Sequence, residues 1–294
     1  MSVLLLLLAH LIADFWLQTD SMINNKMKHI KKHMLHHLIT TGLALIIIWG
    51  YTYHFSKVIN YLVFPLLFIC VTHLIIDVLK LKLLDTIKPI DSHDLKKLGF
   101  FLVDQALHLA TLIITCIVFF DVKATTMMTR LLQLLGENGG TNGLNVVNTL
   151  LFIIIIFILA TSVSGHMIKL ILGSLPSELA NFEAEFTFKN KTLDAKNSSE
   201  SRLESNFTEE YHYLTYSNPL LSRGKLIGYI ERLLVILLTI VGAYPSIAFI
   251  IAAKSIARFK QLDDRNWAEY FLLGTLSSIF LGLLLGLLVR AIVM

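Results

Sequence analysis

The chain has 294 residues, of which 55% are hydrophobic and 16% are charged, and its mean hydropathy is +0.69. This balance excludes an ordinary soluble globular protein and predicts an integral membrane protein. The formal net charge of +4 is small and most basic residues lie between apolar runs, which argues against nucleic-acid binding and fits membrane orientation.

Eight apolar runs follow one another along the chain, most of them long enough to span a membrane. They occupy residues 2–19, 35–53, 58–81, 98–120, 147–171, 226–242, 245–257 and 269–292. The first run lacks the basic flank and the cleavage site of a signal peptide, so we expect it to remain as a helix. Pro245 leaves two interpretations open, a tight turn between two short helices or a kink in one re-entrant unit. The predicted fold class is an all-α, polytopic membrane bundle of about eight transmembrane helices.

Three loops are rich in lysine and arginine, namely residues 20–34, 80–97 and 258–265. The positive-inside rule predicts that these loops face the cytoplasm and that the intervening loops, which are poorer in charge, face the other side. An even number of spans then places both termini outside.

The pattern of spans and loops divides the chain into four parts. They are a four-helix membrane core (1–121), an outer loop with the fifth transmembrane helix (122–173), a polar cytoplasmic insertion (174–224) and a C-terminal membrane region of about three helices (225–294). The insertion is low in hydrophobicity, which predicts a flexible loop. It offers a surface for a cytoplasmic protein partner.

Three predicted membrane helices each carry a histidine and an aspartate four residues apart. The pairs are His10 and Asp14, His73 and Asp77, and Asp104 and His108. Residues at this spacing share one helix face. The order of the two residues is reversed in the last pair, whose helix runs in the opposite direction. We therefore expect two layers at matched depth, with the aspartates nearer the cytoplasm and the histidines one turn deeper.

A further histidine is expected to come from the second helix, which begins with the sequence "LHHL" on the same side. Adjacent helical residues point about 100° apart, so only one of His36 and His37 is expected to join the layers. Gln18 and Gln105 are placed to orient substrate or ligands. His166 is expected near the membrane interface. The other histidines are predicted to be loop residues without a special role, and they are His29, His33, His54, His93 and His212.

Ionisable side chains inside a membrane normally face the protein interior and have partners. Histidine and carboxylate ligands from several helices are what one or two divalent metal ions require, with zinc expected first and manganese or iron as alternatives. The predicted metal ligands are His10, Asp14, His36, His37, His73, Asp77, Asp104 and His108, and the predicted catalytic residues are Asp14, Asp77 and Asp104. Two alternatives stay open, a proton or ion relay and purely structural pairing.

The C-terminal region has its own charged residues near predicted helix ends. Arg232, Lys254 and Arg258 could form a site for a phosphate or lipid head group. The alternative, which we favour, is that they are snorkelling charges and helix-end ion pairs.

Several motifs resemble those of the bacterial domain-of-unknown-function family 3307, a family of multi-spanning inner-membrane proteins. They are "HLIADFWLQTD", "THLIIDVLK" and "DQALH" within residues 1–121, and "GKLIGYIER", "AAKSIARF" and "EYFLLGTLSS" in what looks like a C-terminal extension. The resemblance implies a multi-pass helical protein of the bacterial inner membrane. The histidine and aspartate pattern is also similar to that of predicted membrane-bound metal-dependent hydrolases, as an analogy of pattern only.

The leading functional hypothesis is a metal-dependent hydrolase that acts on a lipid or phospholipid-like substrate near the cytoplasmic face. A bound metal would activate a water molecule there, and membrane lipids would be its partners. The alternatives are a proton- or cation-coupled transporter and a scaffold that recruits a partner through residues 174–224. The outer halves of the second to fourth helices are almost wholly apolar, so the polar site is one-sided. This favours catalysis or ligand binding over conduction.

Overall fold

A computed structural model gives the fold of the chain. It describes residues 1–19, 21–22, 25–86, 94–123, 125, 145–173, 184–186, 211–213, 220–263 and 265–293. The helices are α1 (Ser2–Leu11, continued by a π-helical turn at Ile12–Trp16), α2 (Lys26–Tyr53), α3 (Phe64–Thr86, preceded by a π-helical turn at Ile59–Val63), α4 (Asp94–Phe119), α5 (Val146–Ile158, a π-helical turn at Leu159–Val163, then Ser164–Leu172), α6 (Leu220–Ile240), α7 (Tyr244–Ala257, followed by a 3-10 turn at Phe259–Asp263) and α8 (Arg265–Val293).

The eight helices coincide with the eight apolar runs of the sequence. Five stretches in the described residues are long and apolar enough to cross a membrane, and they are Lys26–Tyr53, Ile59–Leu83, Lys96–Phe119, Val146–Leu172 and Arg265–Ile292. The apolar helices α1 and α7 are shorter. The structure therefore confirms a helical protein with helices suited to a membrane, while a count of eight crossings stays a prediction.

The predicted polar insertion contains a short antiparallel pair of strands, β1 (Ala184–Phe186) and β2 (Tyr211–Tyr213). Ala184 lies opposite Tyr213 in this pair. The remainder of the insertion, up to residue 219, lies outside the described residues.

Helices α1 to α4 pack around a dry apolar core. Its buried members are Leu6, Ala9, Ala44, Leu45, Ile48, Ile69, Leu112, Cys116 and Phe120. Outward-facing apolar side chains such as Leu43 (58% exposed) and Val118 (62% exposed) cover the other helix faces. Such exposure is expected where the surrounding solvent is hydrocarbon, since lipid tails do not penalise apolar surface.

Helices α6 and α8 approach closely in the C-terminal region because α8 has glycines on the facing side. A Cβ atom built on Gly286 would lie 2.7 Å from Thr239 Cβ, and one on Gly282 would lie 2.9 Å from Val235 Cγ1. Glycines four residues apart present one smooth helix face, which permits the close packing common between membrane helices. Any larger side chain at Gly286 would push the two helices apart.

Helix α5 joins the N-terminal and C-terminal groups of helices, since it contacts α1 and α4 on one side and α6 and α8 on the other. Its π-helical turn is held by Arg232 of α6, a buried side chain with 3% exposure. Arg232 Nε donates to the carbonyl oxygen of Ala160, and Nη2 donates to that of Thr161 at 3.4 Å. Nη1 donates to Ser278 Oγ of α8 at 3.3 Å. The guanidinium group of Arg232 thus connects α6 with α5 and α8 through hydrogen bonds.

We predict that Arg232→Met lowers the stability of the protein by about 2 kcal/mol or more, because it leaves buried carbonyl groups without donors. Thermal unfolding of the protein in detergent micelles measures this. The matched control is Arg265→Met, which removes an exposed ion pair with Glu269 and is expected to change stability by about 0.5 kcal/mol at most. Equal effects of the two substitutions would show that Arg232 does not support the fold in this way.

Candidate metal centre

The three predicted histidine and aspartate pairs converge at one end of the α1–α4 bundle, where they are joined by residues of α2. The side chains that meet are His10, Asp14, His33, His37, His73, Asp77, Asp104 and His108, and none is more than 8% exposed. We refer to these eight residues as the His/Asp cluster. Its members come from four helices, so the fold rather than any one segment creates it.

Four donor atoms of the cluster face a common point. Asp14 Oδ1 lies 2.9 Å from His37 Nε2, 3.4 Å from His33 Nε2 and 3.9 Å from His73 Nε2. His33 Nε2 and His73 Nε2 are 3.2 Å apart. These four side chains are all buried and come from α1, α2 and α3. One carboxylate oxygen and three imidazole nitrogens therefore lie within 4.8 Å of one another.

A second group of donors shares His73 with the first. His73 Nδ1 lies 3.2 Å from His108 Nε2, and His73 Nε2 lies 3.4 Å from Asp77 Oδ2. All three residues are buried. His73 Nε2 therefore contacts both groups, and its Nδ1 atom contacts His108 of the second group.

The histidine rings of the cluster lie close together. The ring of His10 lies 5.0 Å from that of His108 and 5.5 Å from those of His37 and His73, measured between centroids. Asp14 and Asp77 lie toward the loop end, and His33 Nε2 sits between them, 3.4 Å from Asp14 Oδ1 and 3.3 Å from Asp77 Oδ2. His33 therefore occupies the aspartate layer.

The prediction that His33 is a loop residue is wrong. Helix α2 begins at Lys26, two turns before His33, so the segment read as a loop is helical. His33 and His37 are four residues apart and hence share one face of α2. This spacing of four residues is visible in the sequence. The lysines around His33, however, favour a loop at the membrane surface, which hides the helix that carries both histidines.

Of the two neighbouring histidines on α2, the structure brings His37 into the cluster. His36 is half-buried, and its Nδ1 atom has no hydrogen-bond partner among the described residues. The two rings diverge because consecutive residues of a helix point about 100° apart. His36 therefore does not join the other predicted metal ligands in the structure.

Two lysines that the sequence interpretation missed hold the aspartates of α3 and α4. Lys26 Nζ lies 2.5 Å from Asp77 Oδ1, and Lys80 Nζ lies 2.7 Å from Asp104 Oδ2. The other oxygens, Asp77 Oδ2 and Asp104 Oδ1, are buried and face histidines: Asp77 Oδ2 lies 3.3 Å from His33 Nε2, and Asp104 Oδ1 lies 4.0 Å from His108 Nε2. Each lysine thus neutralises a carboxylate while leaving one of its oxygens available to the cluster.

Gln105 orients two of the aspartates. Its Nε2 donates to Asp14 Oδ2 at 3.2 Å and to Asp104 Oδ2 at 3.4 Å. Hydrogen bonds of this kind fix the direction in which a ligand carboxylate points. Gln18, the other predicted glutamine, is half-buried and follows the π-helical turn of α1.

The donor set fits a divalent metal ion. Ligand atoms at 2.0–2.1 Å from a tetrahedral ion stand about 3.3 Å apart, and the four facing donors are separated by distances close to that value. His10 Nε2 is also buried without a hydrogen-bond partner among the described residues, 3.4 Å from Asp14 Oδ2. Beside it, a cavity of about 10 Å³ is lined by His10, His73 and His108 with apolar neighbours, on the order of the space one water molecule needs.

The predicted head-group residues of the C-terminal region lie elsewhere. Arg232 is engaged with the π-helical turn of α5, and Lys254 Nζ pairs with Glu231 Oε2 at 2.6 Å. Arg258 is half-buried at the end of α7. Binding of a head group there stays a prediction. His166 is half-buried against Phe101, with 5.0 Å between the ring centroids.

Residues 3–135 match the model of the family described as "Protein of unknown function (DUF3307)". This match confirms the resemblance for the motifs within residues 1–121, and it includes every residue of the His/Asp cluster. The three C-terminal motifs lie outside the matched residues, so their resemblance stays a prediction. Comparison with curated protein sequences and with solved structures found no match. The similarity to metal-dependent hydrolases stays a prediction.

We predict that His37→Ala lowers the affinity of the purified protein for zinc by about 10-fold or more, because it removes a nitrogen from the group that faces Asp14 Oδ1. Zinc affinity is measured by competition with a chromogenic chelator. The matched control is His36→Ala, one residue away on the same helix, which should bind zinc as the unaltered protein does. If both variants bind zinc equally, His37 is not a ligand.

Proposed function

We propose that this chain, whose residues 3–135 match the DUF3307 family model, is a membrane-bound metal-dependent hydrolase acting on a lipid or phospholipid-like substrate. The observation that carries the proposal is the convergence of Asp14, His33, His37 and His73 from three helices on one buried point. Such a set of neutral imidazole nitrogens and a carboxylate oxygen is typical of zinc, with manganese or iron as alternatives.

The residues divide into those that hold the ion and those that handle the proton. Asp14, His33, His37 and His73 would hold the ion, and when bound it would lower the pKa of a coordinated water toward about 7. Asp77 and Asp104 each keep one buried oxygen that the paired lysine does not contact, on the side of the histidines. Either oxygen can accept the proton of an attacking water molecule, which is the role of a general base.

The position of the cluster supports action near one membrane surface. Lys28, Lys31 and Lys32 are exposed on the first turns of α2, at the same end of the bundle as the aspartates. Under the positive-inside rule this end faces the cytoplasm. We propose that the protein spans the bacterial inner membrane about eight times, on the basis of the coincidence of helices with apolar runs and of the family resemblance.

The apolar core supports hydrolysis over transport. Leu6 lies one turn before His10, and Leu112 and Cys116 lie one and two turns after His108, so the core closes the bundle on the far side of the histidines. A transport pathway for protons or cations needs polar groups or water across the full thickness of the membrane. The histidines and carboxylates of the cluster instead lie together at one end of α1 to α4. Recruitment of a partner through residues 174–224 stays a prediction.

Reconstitution in nanodiscs that contain fluorescent phospholipid analogues tests the proposal. We expect hydrolysis of a phospholipid that depends on added zinc or manganese and is lost on chelation. Asp77→Asn should reduce the rate by about 100-fold or more while the protein still binds metal, because the amide cannot accept the proton. His36→Ala is the matched control with an unchanged rate.

Two results would contradict the proposal. The first is hydrolysis that persists in both the chelated protein and Asp77→Asn. The second is metal-dependent movement of cations or protons into proteoliposomes without hydrolysis of any phospholipid in the panel.

A further inference from the structure

Lys26 and Lys80 are the most accessible charged groups that contact the His/Asp cluster. Their side chains are 14% and 22% exposed, whereas those of their partners Asp77 and Asp104 are 1% and 4% exposed. Lys26 is the first residue of α2, and Lys80 lies three residues beyond Asp77 toward the end of α3. Both lysines therefore stand on the loop side of the aspartates, between the cluster and the basic surface.

The charges of the site do not cancel once a metal ion is present. Three aspartates and two lysines leave a net charge of −1 when the imidazoles are neutral, and one divalent ion changes this to +1. A net charge in surroundings of low dielectric constant is unfavourable, so the loaded site attracts a further anion. The exposed Lys28, Lys31 and Lys32 add a field that draws anions to the same end of the bundle.

We propose that Lys26 and Lys80 bind the phosphate group of the substrate at the opening of the His/Asp cluster. Each ammonium group carries three N–H donors, and among the described residues each lysine uses one of them on a carboxylate. The remaining donors can turn to phosphate oxygens, for which lysine is a common point-charge ligand. The inference rests on the proposed function, because the metal supplies the charge that the phosphate balances.

This site differs from the head-group site predicted in the C-terminal region. The guanidinium of Arg232 is buried and bonded to Ala160, Thr161 and Ser278, so its donors are engaged inside the bundle. Lys26 and Lys80 instead contact the carboxylates beside the metal ligands. A phosphate held by them would lie next to the donors that activate water, as hydrolysis of a phosphoester requires.

Lysine footprinting of the unaltered protein tests the inference. Three nanodisc preparations are compared: phosphatidylcholine alone, phosphatidylcholine with inorganic phosphate in solution, and phosphatidylcholine with phosphatidic acid in the bilayer. Each is treated with an acetylating reagent, and mass spectrometry gives the rate of acetylation at each lysine. We expect acetylation of Lys26 and Lys80 to slow at least threefold relative to that of Lys28. Protection by phosphatidic acid alone identifies a lipid as the source of the phosphate, and protection by inorganic phosphate alone identifies a soluble ligand.

The inference is overturned if neither addition protects Lys26 and Lys80, or if Lys28 is protected as strongly as they are. Thermal stabilisation by the protecting ligand gives a second test, since Lys26→Met and Lys80→Met should lose it while Lys28→Met and Lys26→Arg keep it. If Lys26→Met retains the full stabilisation, the lysine pair does not bind the anion.

Measuring the metal-loaded and the chelated protein in parallel separates this inference from the proposed function. Protection in a protein that binds no metal would keep the lysines as a phosphate site, but it would refute both the metal-dependent hydrolase and the charge balance given above as the reason for binding. A protein that binds metal but shows no protection would refute the phosphate site alone.

Discussion

Three carboxylates buried within a bundle of apolar helices are the constraint on which the rest of the structure depends. An isolated charge in such surroundings costs several kcal/mol, so each aspartate needs a partner. Asp77 and Asp104 have lysines, whereas Asp14 is surrounded by histidines and Gln105. The negative charge of Asp14 therefore has no positive partner as long as the surrounding imidazoles are neutral. A divalent cation at Asp14 would supply this carboxylate with a positive partner and would change the net charge of the site from −1 to +1. The need for such a partner favours the proposed metal centre over a set of structural pairs.

The two halves of the molecule meet at the same place. The π-helical turn of α1 that carries Asp14 contacts the π-helical turn of α5, whose carbonyl oxygens accept the hydrogen bonds of Arg232. A π-helical turn widens the helix and frees carbonyl groups, and such turns are frequent at functional sites. The C-terminal helices, which lie beyond the residues matched by the family model, thus support the backbone next to the proposed metal ligand Asp14.

Much of this arrangement could be predicted from the sequence. The apolar runs predict the positions of the eight helices. Antiparallel packing explains why Asp104 precedes His108, whereas the histidine comes first in the other two pairs. The histidine and aspartate pairs were recognisable because ionisable side chains are rare inside membrane helices.

The site residues that the sequence does not reveal were missed for a common physical reason. Lys26, His33 and Lys80 lie in segments whose positive charge was interpreted as an orientation signal, although helices α2 and α3 extend through them. Long lysine side chains reach from the membrane surface to groups about one turn deeper, so their sequence position does not reveal their partners. The role of Arg232 depends on free carbonyl groups in a π-helical turn, and no residue pattern in α5 marks that turn. The paired strands at Ala184–Phe186 and Tyr211–Tyr213 are too short to show a period.

X-ray absorption spectroscopy of the purified protein loaded with one equivalent of zinc tests the central claim most directly. The account predicts ligands at about 2.0–2.1 Å that are all nitrogen or oxygen, with the outer-shell scattering of three imidazoles. His33→Ala should reduce that scattering to two imidazoles, since His33 faces the same point as Asp14 Oδ1 and His73. A spectrum of hydrated zinc without imidazole scattering, or one left unchanged by His33→Ala, would contradict the metal centre described above.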